Sequence, residues 1–420
     1  DTVAQIAKDL QQMFAFRSVK DLLTAPFKVP GIARWGFSTL QSLLDAHVKD
    51  PVLQGILVGQ AGDHGLPPSI APAPVHAGVI GHYFDGGWYP KGGAFTIPRA
   101  YLRALKRAGG QIRLKTSVDK ILVEKGKVIG VRLAGGEELR AKNVISNADP
   151  HATFAKLIDP EHLDWRTKLH LKRTRYSTSA LSLFLATDMD VRAAGMDSGN
   201  LWRYATPDLD AIYSLGMKPE AIEVDQIPGM FLTCTTLKDP SKSSGDHTLE
   251  AFAFVHHDAF KKWASTKFGD RPQDYADMKE HLKQKMLDGV DRMVPGLKKH
   301  ATFADLATPL TNVHYVAATE GNLYGTEKSR LHVGPFAWQT RASIRGLYLC
   351  GASTLSHGVM GATYSGLVAA RMILKSSVAQ LLSQKGPSIV CLPSEYPETW
   401  PEAHKPRALK EKDLKKPAAA

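Results

Sequence analysis

The segment from Gly346 to Leu374, "GLYLCGASTLSHGVMGATYSGLVAARMIL", constrains this chain more than any other. It reads as an apolar strand, a loop of small residues and an amphipathic helix. Gly351 at the strand end lets the chain turn without a Cβ clash and lets another group approach the backbone. Gly358 and Gly361, followed by Ala362, open the helix. There, free N–H groups and the helix dipole favour an anionic or electron-rich group. Taken alone, the pattern also suits an ordinary strand-to-helix turn with packing glycines.

Residues 86–150 supply context. A glycine-rich turn, "GGWYPKGG", precedes a helix over about 95–107 that Gly109-Gly110 ends. A strand is expected over "QIRLKT". The hairpin "VDKILVEKGKVIGVRLAGG" follows, with alternating strands and a turn at Lys125-Gly126. A last apolar strand, "NVISNAD", ends in Asn147-Ala148-Asp149. This is the order of a hairpin crossing over a nucleotide-binding sheet.

Elsewhere the texture differs. Residues 1–60 read as mostly helical, and 61–77, with four prolines and two glycines, as loop. Over 151–335, "SALSLFLATDM", "GMFLTCTTL" and "LEAFAFVHH" read as strands and "RPQDYADMKEHLKQKMLDGVDRM" as a long helix. They predict a sheet-and-helix lobe inserted between the two glycine-rich segments. After Leu374 the proline and charge content is that of a flexible tail.

Hydrophobic content of 43% and charged content of 22% are those of a soluble globular protein. No run approaches the roughly 20 apolar residues of a spanning helix, and no signal peptide is seen. The chain opens on Asp1 rather than Met, as a processed or partial chain would. A formal charge of +12 favours anionic surfaces, but it is spread thinly. Its densest part, "KPRALKEKDLKKPAAA", has six basic and two acidic residues and reads as a solvated tail, so no nucleic-acid partner is expected. Cys234, Cys350 and Cys391 make neither a disulfide framework nor a C-x-x-C, which points to a reducing compartment and away from disulfide exchange. Cys350 reads as a buried structural thiol. Adjacent His256 and His257 on a strand would point to opposite faces, so no metal site is expected. "GTEKS" lacks the P-loop lysine pattern, and no G-x-S-x-G appears.

Three stretches together carry a family resemblance: "GGWYPKGGAFTIPRAYLRALKRAGGQIRLKTSVDKILVEKGKVIGV", "VISNADP" and "GLYLCGAST…GVMGA…SGLVAARMIL", with a weaker echo in "EGNLYGTE" at 320–327. They resemble the flavoprotein desaturases and isomerases: phytoene desaturases, carotenoid isomerases and retinol saturases. The likeness covers most of 77–375, strongest at its ends. It implies an α/β fold with mixed α+β parts: an FAD/NAD(P)-binding Rossmann-like domain, incomplete at its amino terminus, with an inserted sheet-and-helix substrate domain. Residues 1–76 would be the helical part of the substrate lobe, 77–170 and 336–375 the FAD-binding domain, 171–335 the substrate domain, and 376–420 a flexible tail.

The resemblance also implies FAD as cofactor and places residues around it. Val118 would contact the adenine side, and Asn147 and Ala148 would lie at the cofactor end of their strand. Gly351 and Ala352 would sit near the pyrophosphate and ribityl chain. Gly358, Val359, Met360 and Gly361 would run beside the isoalloxazine ring. Trp88, Tyr89 and Pro90, with Gly92 and Gly93, would approach the cofactor or the substrate cavity. The implied activity is hydride transfer between flavin N5 and an apolar polyene or lipid-like substrate. The alternative is a non-catalytic FAD-fold protein with an interaction or assembly role. Amine oxidation, a third reading, would want an aromatic cage around the flavin. No triad or carboxylate pair names a catalytic residue. A basic surface resting on anionic membrane would admit a lipophilic substrate, so cytoplasmic, peripheral-membrane and organellar (mitochondrial or plastid) locations all fit.

The chain departs from the family in three places. It has no G-x-G-x-x-G; "GQAGDHG" at 59–65 has the wrong spacing. The phosphate-binding βαβ unit is therefore expected upstream of Asp1, and the chain by itself is expected to bind FAD poorly. Relatives often carry Pro-Gly-Gly where this chain has "LSH", which leaves His357 either as a flavin partner or proton donor or as a solvent-facing loop histidine. Ser353 stands where some flavoproteins have an acid.

Overall fold

The computed structural model describes residues 1–13, 24–242, 245–383 and 386–406. Amphipathic repeats in the first eighty residues fold as helices around one apolar core. α1 (Thr2–Met13) buries Ile6 and Ala7, α2 (Leu40–His47) buries Leu40, Leu43 and Leu44, and α3 (Ala73–Gly81) buries Ala73 and Ala77. Asp9 is buried on α1 and accepts the N–H groups of Gly31 at 2.6 Å and Ile32 at 3.2 Å, so its carboxylate caps a neighbouring helix. α3 replaces part of the loop expected over 61–77. Its proline falls in the first turn, where a missing N–H costs nothing.

α4 (Thr96–Arg107) matches the expected helix and ends in a Schellman pair, with Gly110 N–H bonded to Leu105 O at 2.9 Å and Gly109 N–H to Lys106 O at 3.0 Å. β1 (Val118–Glu124) and β2 (Lys127–Leu133) form the expected hairpin, joined by β3 (Glu138–Arg140). Its two-residue turn has positive φ at both Lys125 (48°) and Gly126 (71°), the geometry that follows strand twist. "QIRLKT", expected as a strand, is none. Ile112 and Leu114 are exposed, and no described strand lies beside them to pair with. β4 (Val144–Ser146) pairs in parallel with β10 (Leu347–Leu349), in register Val144 to Leu347. The outer edge of β4 has no partner among the described residues.

The inserted lobe is an antiparallel sheet of β5 (Ser179–Thr187), β6 (Asn200–Tyr204), β7 (Gly229–Cys234), β8 (His247–Val255) and β9 (Ala301–Ala307), in order β6-β7-β8-β5-β9. "GMFLTCTTL" thus stops being a strand at Cys234, where a short helix, Thr235–Lys238, begins. One sheet face, with Leu181, Leu183, Leu232, Leu249 and Ala251, packs on Leu282, Met286 and Val290 of the long helix Gln273–Met293. Strand alternation decides which side chains take this face. Leu183→Ala, at a fully buried position on an interior strand, should cost about 2–5 kcal/mol. A lower urea midpoint at unchanged m-value is the expected reading.

Within the tail expected as flexible over 376–420, residues 393–404 make contacts with the rest of the protein. Glu395 pairs with Arg192 at 2.7 Å and accepts the Ser198 N–H at 2.7 Å, and Trp400 is buried. Charge-assisted bonds and one buried indole outweigh the proline-rich composition there. The remaining basic tail, 407–420, lies outside the described residues.

Candidate cofactor and substrate site

The loop after β10 is held by backbone-directed bonds. Cys350 N–H meets Ser146 O at 3.0 Å, and Gly351 N–H meets Ser365 Oγ at 2.7 Å. Gly351 has φ 93°, and a Cβ there would collide with Asn147 Oδ1, so the parallel pairing of β4 and β10 brings Asn147 and Gly351 together. Cys350 is half-buried rather than buried, its thiol pushed up by burial, with Sγ 3.8 Å from Asn147 Oδ1. Ala148 is exposed beside Asn147 and offers its carbonyl to Thr153 Oγ1 at 3.1 Å.

Beyond the loop, the chain enters the helix Gly358–Leu374 without a side-chain cap from His357. Gly358 has φ 76° and faces open space, and Val359 and Met360 are each 66% exposed. Among the described residues no acceptor meets the N–H groups of 358–360, which are donors a helix start leaves unpaired. Gly361 lies tight on the Ser356 backbone, where a Cβ would sit 2.6 Å from Ser356 O. An open, uncapped helix start beside a glycine cradle fits an electron-rich group, such as the edge of a flavin ring.

The weak echo "EGNLYGTE" turns out to clamp this loop. Lys328, 4% exposed, donates to Ala352 O at 2.7 Å, Thr326 O at 2.8 Å and Thr326 Oγ1 at 3.2 Å. None of these partners is a carboxylate, and burial pulls the amine down to about 7. Thr326 Oγ1 donates to Ser353 O at 3.2 Å, and Gly325 packs so closely on Ala352 and Ser353 that a Cβ would sit 2.7 Å from Ser353 Oγ. Tyr324 O–H reaches back to Gly62 O at 2.9 Å.

His357 is no solvent-facing residue. Its Nε2 lies 2.7 Å from Asp63 O and its ring 4.8 Å from that of Tyr324. A carbonyl only accepts, so Nε2 carries the proton. Burial holds the imidazole down to about 4, and Nδ1 is buried without a partner. His64 and His76 touch at 3.2 Å nearby, both held down chiefly by burial, His76 to about 4.

Residues 62–64 also reach the inserted lobe. Gly62 lies against the Trp202 ring, where a Cβ would collide with the indole. Trp202 heads an aromatic row on the sheet face opposite the leucine core. Its ring lies 5.0 Å from Phe231 and 5.5 Å from Phe252, and Phe231 and Phe252 stack at 4.6 Å. The turn carrying Trp88, Tyr89, Pro90, Gly92 and Gly93 leans on this lobe, with Gly92 N–H on Asp239 Oδ2 at 2.5 Å. Val118 stands apart, paired with Leu133 in the hairpin sheet. His256 and His257, expected on a strand, lie just past its end at Val255, each beside Asp258 at 3.9 and 3.6 Å. The aromatic row left a trace in the sequence, the alternations Trp202-x-Tyr204 and Phe252-x-Phe254. Lys328 left only its place beside the echo.

Residues 73–374 match the family described as flavin-containing amine oxidoreductase. The chain is 27% identical over 369 residues to the all-trans-retinol 13,14-reductase of Danio rerio, covering 84% of this chain and 60% of that protein. It is 30% identical over 319 residues to the chloroplastic prolycopene isomerase of Daucus carota, covering 73% of this chain and 46% of that protein. The chain thus spans three fifths or less of these relatives' length. An oxidoreductase structure from Methanosarcina mazei superposes at TM-score 0.56 with 17% identity, covering 88% of this chain and 74% of that one, a likeness of fold. A redesigned putrescine oxidase also reaches 0.56, at 14% identity and 82% and 70% coverage. Among the described residues, no helix is long and apolar enough to cross a membrane.

Proposed function

This chain belongs to the flavin-containing amine oxidoreductase family, and we propose that it carries the substrate side of an FAD-dependent oxidoreductase acting on an apolar, polyene or lipid-like molecule. The observation that carries this reading is the aromatic row of Trp202, Phe231 and Phe252, tied through Gly62, Asp63 and His357 to the glycine loop. The names of the relatives, a retinol reductase and a prolycopene isomerase, support the same substrate class. FAD, when bound, supplies the hydride acceptor or donor.

The chain's own residues supply position and environment. Gly351 and the open helix start at Gly358–Gly361 receive the electron-rich side of the cofactor, with Ala352, Asn147 and Ala148 beside them and Val118 toward the adenine end. Lys328 keeps the Ala352 carbonyl turned into the protein, which leaves the loop's other face for the ligand. Flat aromatic rings align an unsaturated chain and exclude water from it. His357, neutral near pH 7, holds its one proton at Nε2 against Asp63.

The test is a visible spectrum of the protein purified with its natural flanking sequence. Flavin bands that change anaerobically on adding a polyene are expected. A folded, colourless protein would sink the reading in favour of a non-catalytic role.

A further inference from the structure

The sheet face that carries the aromatic row carries a second row of different chemistry. In register with Thr233 on β7 stand Asn200 on β6, Glu250 on β8 and, beyond it, Phe184 on β5. Two residues along each strand, about 7 Å away, the matching positions are Trp202, Phe231, Phe252 and Ser182. An apolar track therefore runs directly into a polar row.

Nothing in the fold uses that polar row fully. Thr233 is 7% exposed, and its hydroxyl oxygen is buried with no hydrogen-bond partner among the described residues, which is unfavourable for a group that can both donate and accept. Glu250 is open to solvent, and no described residue donates a hydrogen bond to it. Lys238, close enough to Glu250 to feel its charge, gives its ammonium to Asn200 Oδ1 at 2.6 Å instead. The 88–92 turn lies beside the row: Gly92 is bonded to Asp239, and the Tyr89 hydroxyl is pushed up by burial and then by the charge of Glu250.

We propose that Thr233, Glu250 and Lys238 bind a terminal hydroxyl of an otherwise apolar, unsaturated substrate whose body lies on Trp202, Phe231 and Phe252. This rests on the substrate class proposed above and narrows it from lipid-like molecules in general to lipid alcohols. A hydroxyl donates to the Glu250 carboxylate and, with two lone pairs, accepts from both Thr233 and Lys238, which answers all three groups. A carboxylate would face the charge of Glu250. A hydrocarbon end would leave the row unpaired and desolvated.

The test uses farnesol and farnesene, an isoprenoid alcohol and a hydrocarbon of the same chain length, titrated into the whole chain with tryptophan fluorescence as readout. Farnesol should bind roughly tenfold tighter or more. Thr233→Val, of nearly the same shape, and Glu250→Gln should each shrink that preference several-fold while farnesene affinity and the circular dichroism spectrum stay unchanged. Equal affinity for both ligands overturns the head-group assignment and leaves the polyene reading standing, as does a preference that survives in both variants. Failure of both ligands to bind overturns the substrate class and the assignment with it.

Discussion

Acidification from pH 6.5 toward 4 should strip this chain of much of its stability. His64, His76 and His357 are buried neutral, the last two held down to about 4 and His64 well below its ordinary value. Below pH 6.5 the unfolded chain takes up protons that the folded chain refuses. Stability therefore falls with pH, by up to about 1.4 kcal/mol per unit for each histidine, until the folded groups titrate in turn. Asp63, raised by burial, takes up its proton more readily in the fold than in the unfolded chain and offsets part of the loss. Urea midpoints between pH 7.5 and 4.5 measure the effect, and His76→Gln should flatten the slope. Midpoints that do not move over that range would show that these rings carry no such linkage.

Gly351→Ala should damage both the fold and cofactor retention. A residue forced to φ 93° costs about 1–3 kcal/mol, and its Cβ would also strike Asn147 Oδ1. The loop must then shift away from the strand ends that shape the cradle, so flavin affinity should fall on the order of tenfold or more. The double variant Gly351→Ala, Asn147→Ala separates the two causes. It removes the collision but not the dihedral strain, so partial recovery of the melting temperature is expected. Full recovery would show that the left-handed backbone is not needed, and no recovery would show that the collision plays no part.

Local signals carried much of the fold. The α4 stop at Gly109-Gly110, the Lys125-Gly126 turn and the strand–loop–helix at 346–374 are written in adjacent residues, and each formed where the pattern put it. "QIRLKT" failed because alternation shows that a segment can be a strand, not that a neighbour is there to pair with it. The site was less legible. The glycines of the 351–361 loop were readable because their conformational freedom is a property of the residue itself. Lys328 was not, and Tyr324 and the aromatic row left only the echo at 320–327 and two alternations. Their meaning arises only when residues 62–64, 202, 324–328 and 357 meet, and no periodicity links segments so far apart. His357 shows the difference: "LSH" marked it as unusual, but only its contact with Asp63 fixed which nitrogen holds the proton.

The absent side chain at Gly62 has a mechanical consequence. Backbone lies directly on the Trp202 indole, while Tyr324 and His357 pin the same few residues from the other side. At that point the lobes cannot swing apart without peeling an aromatic ring off the main chain and breaking two hydrogen bonds.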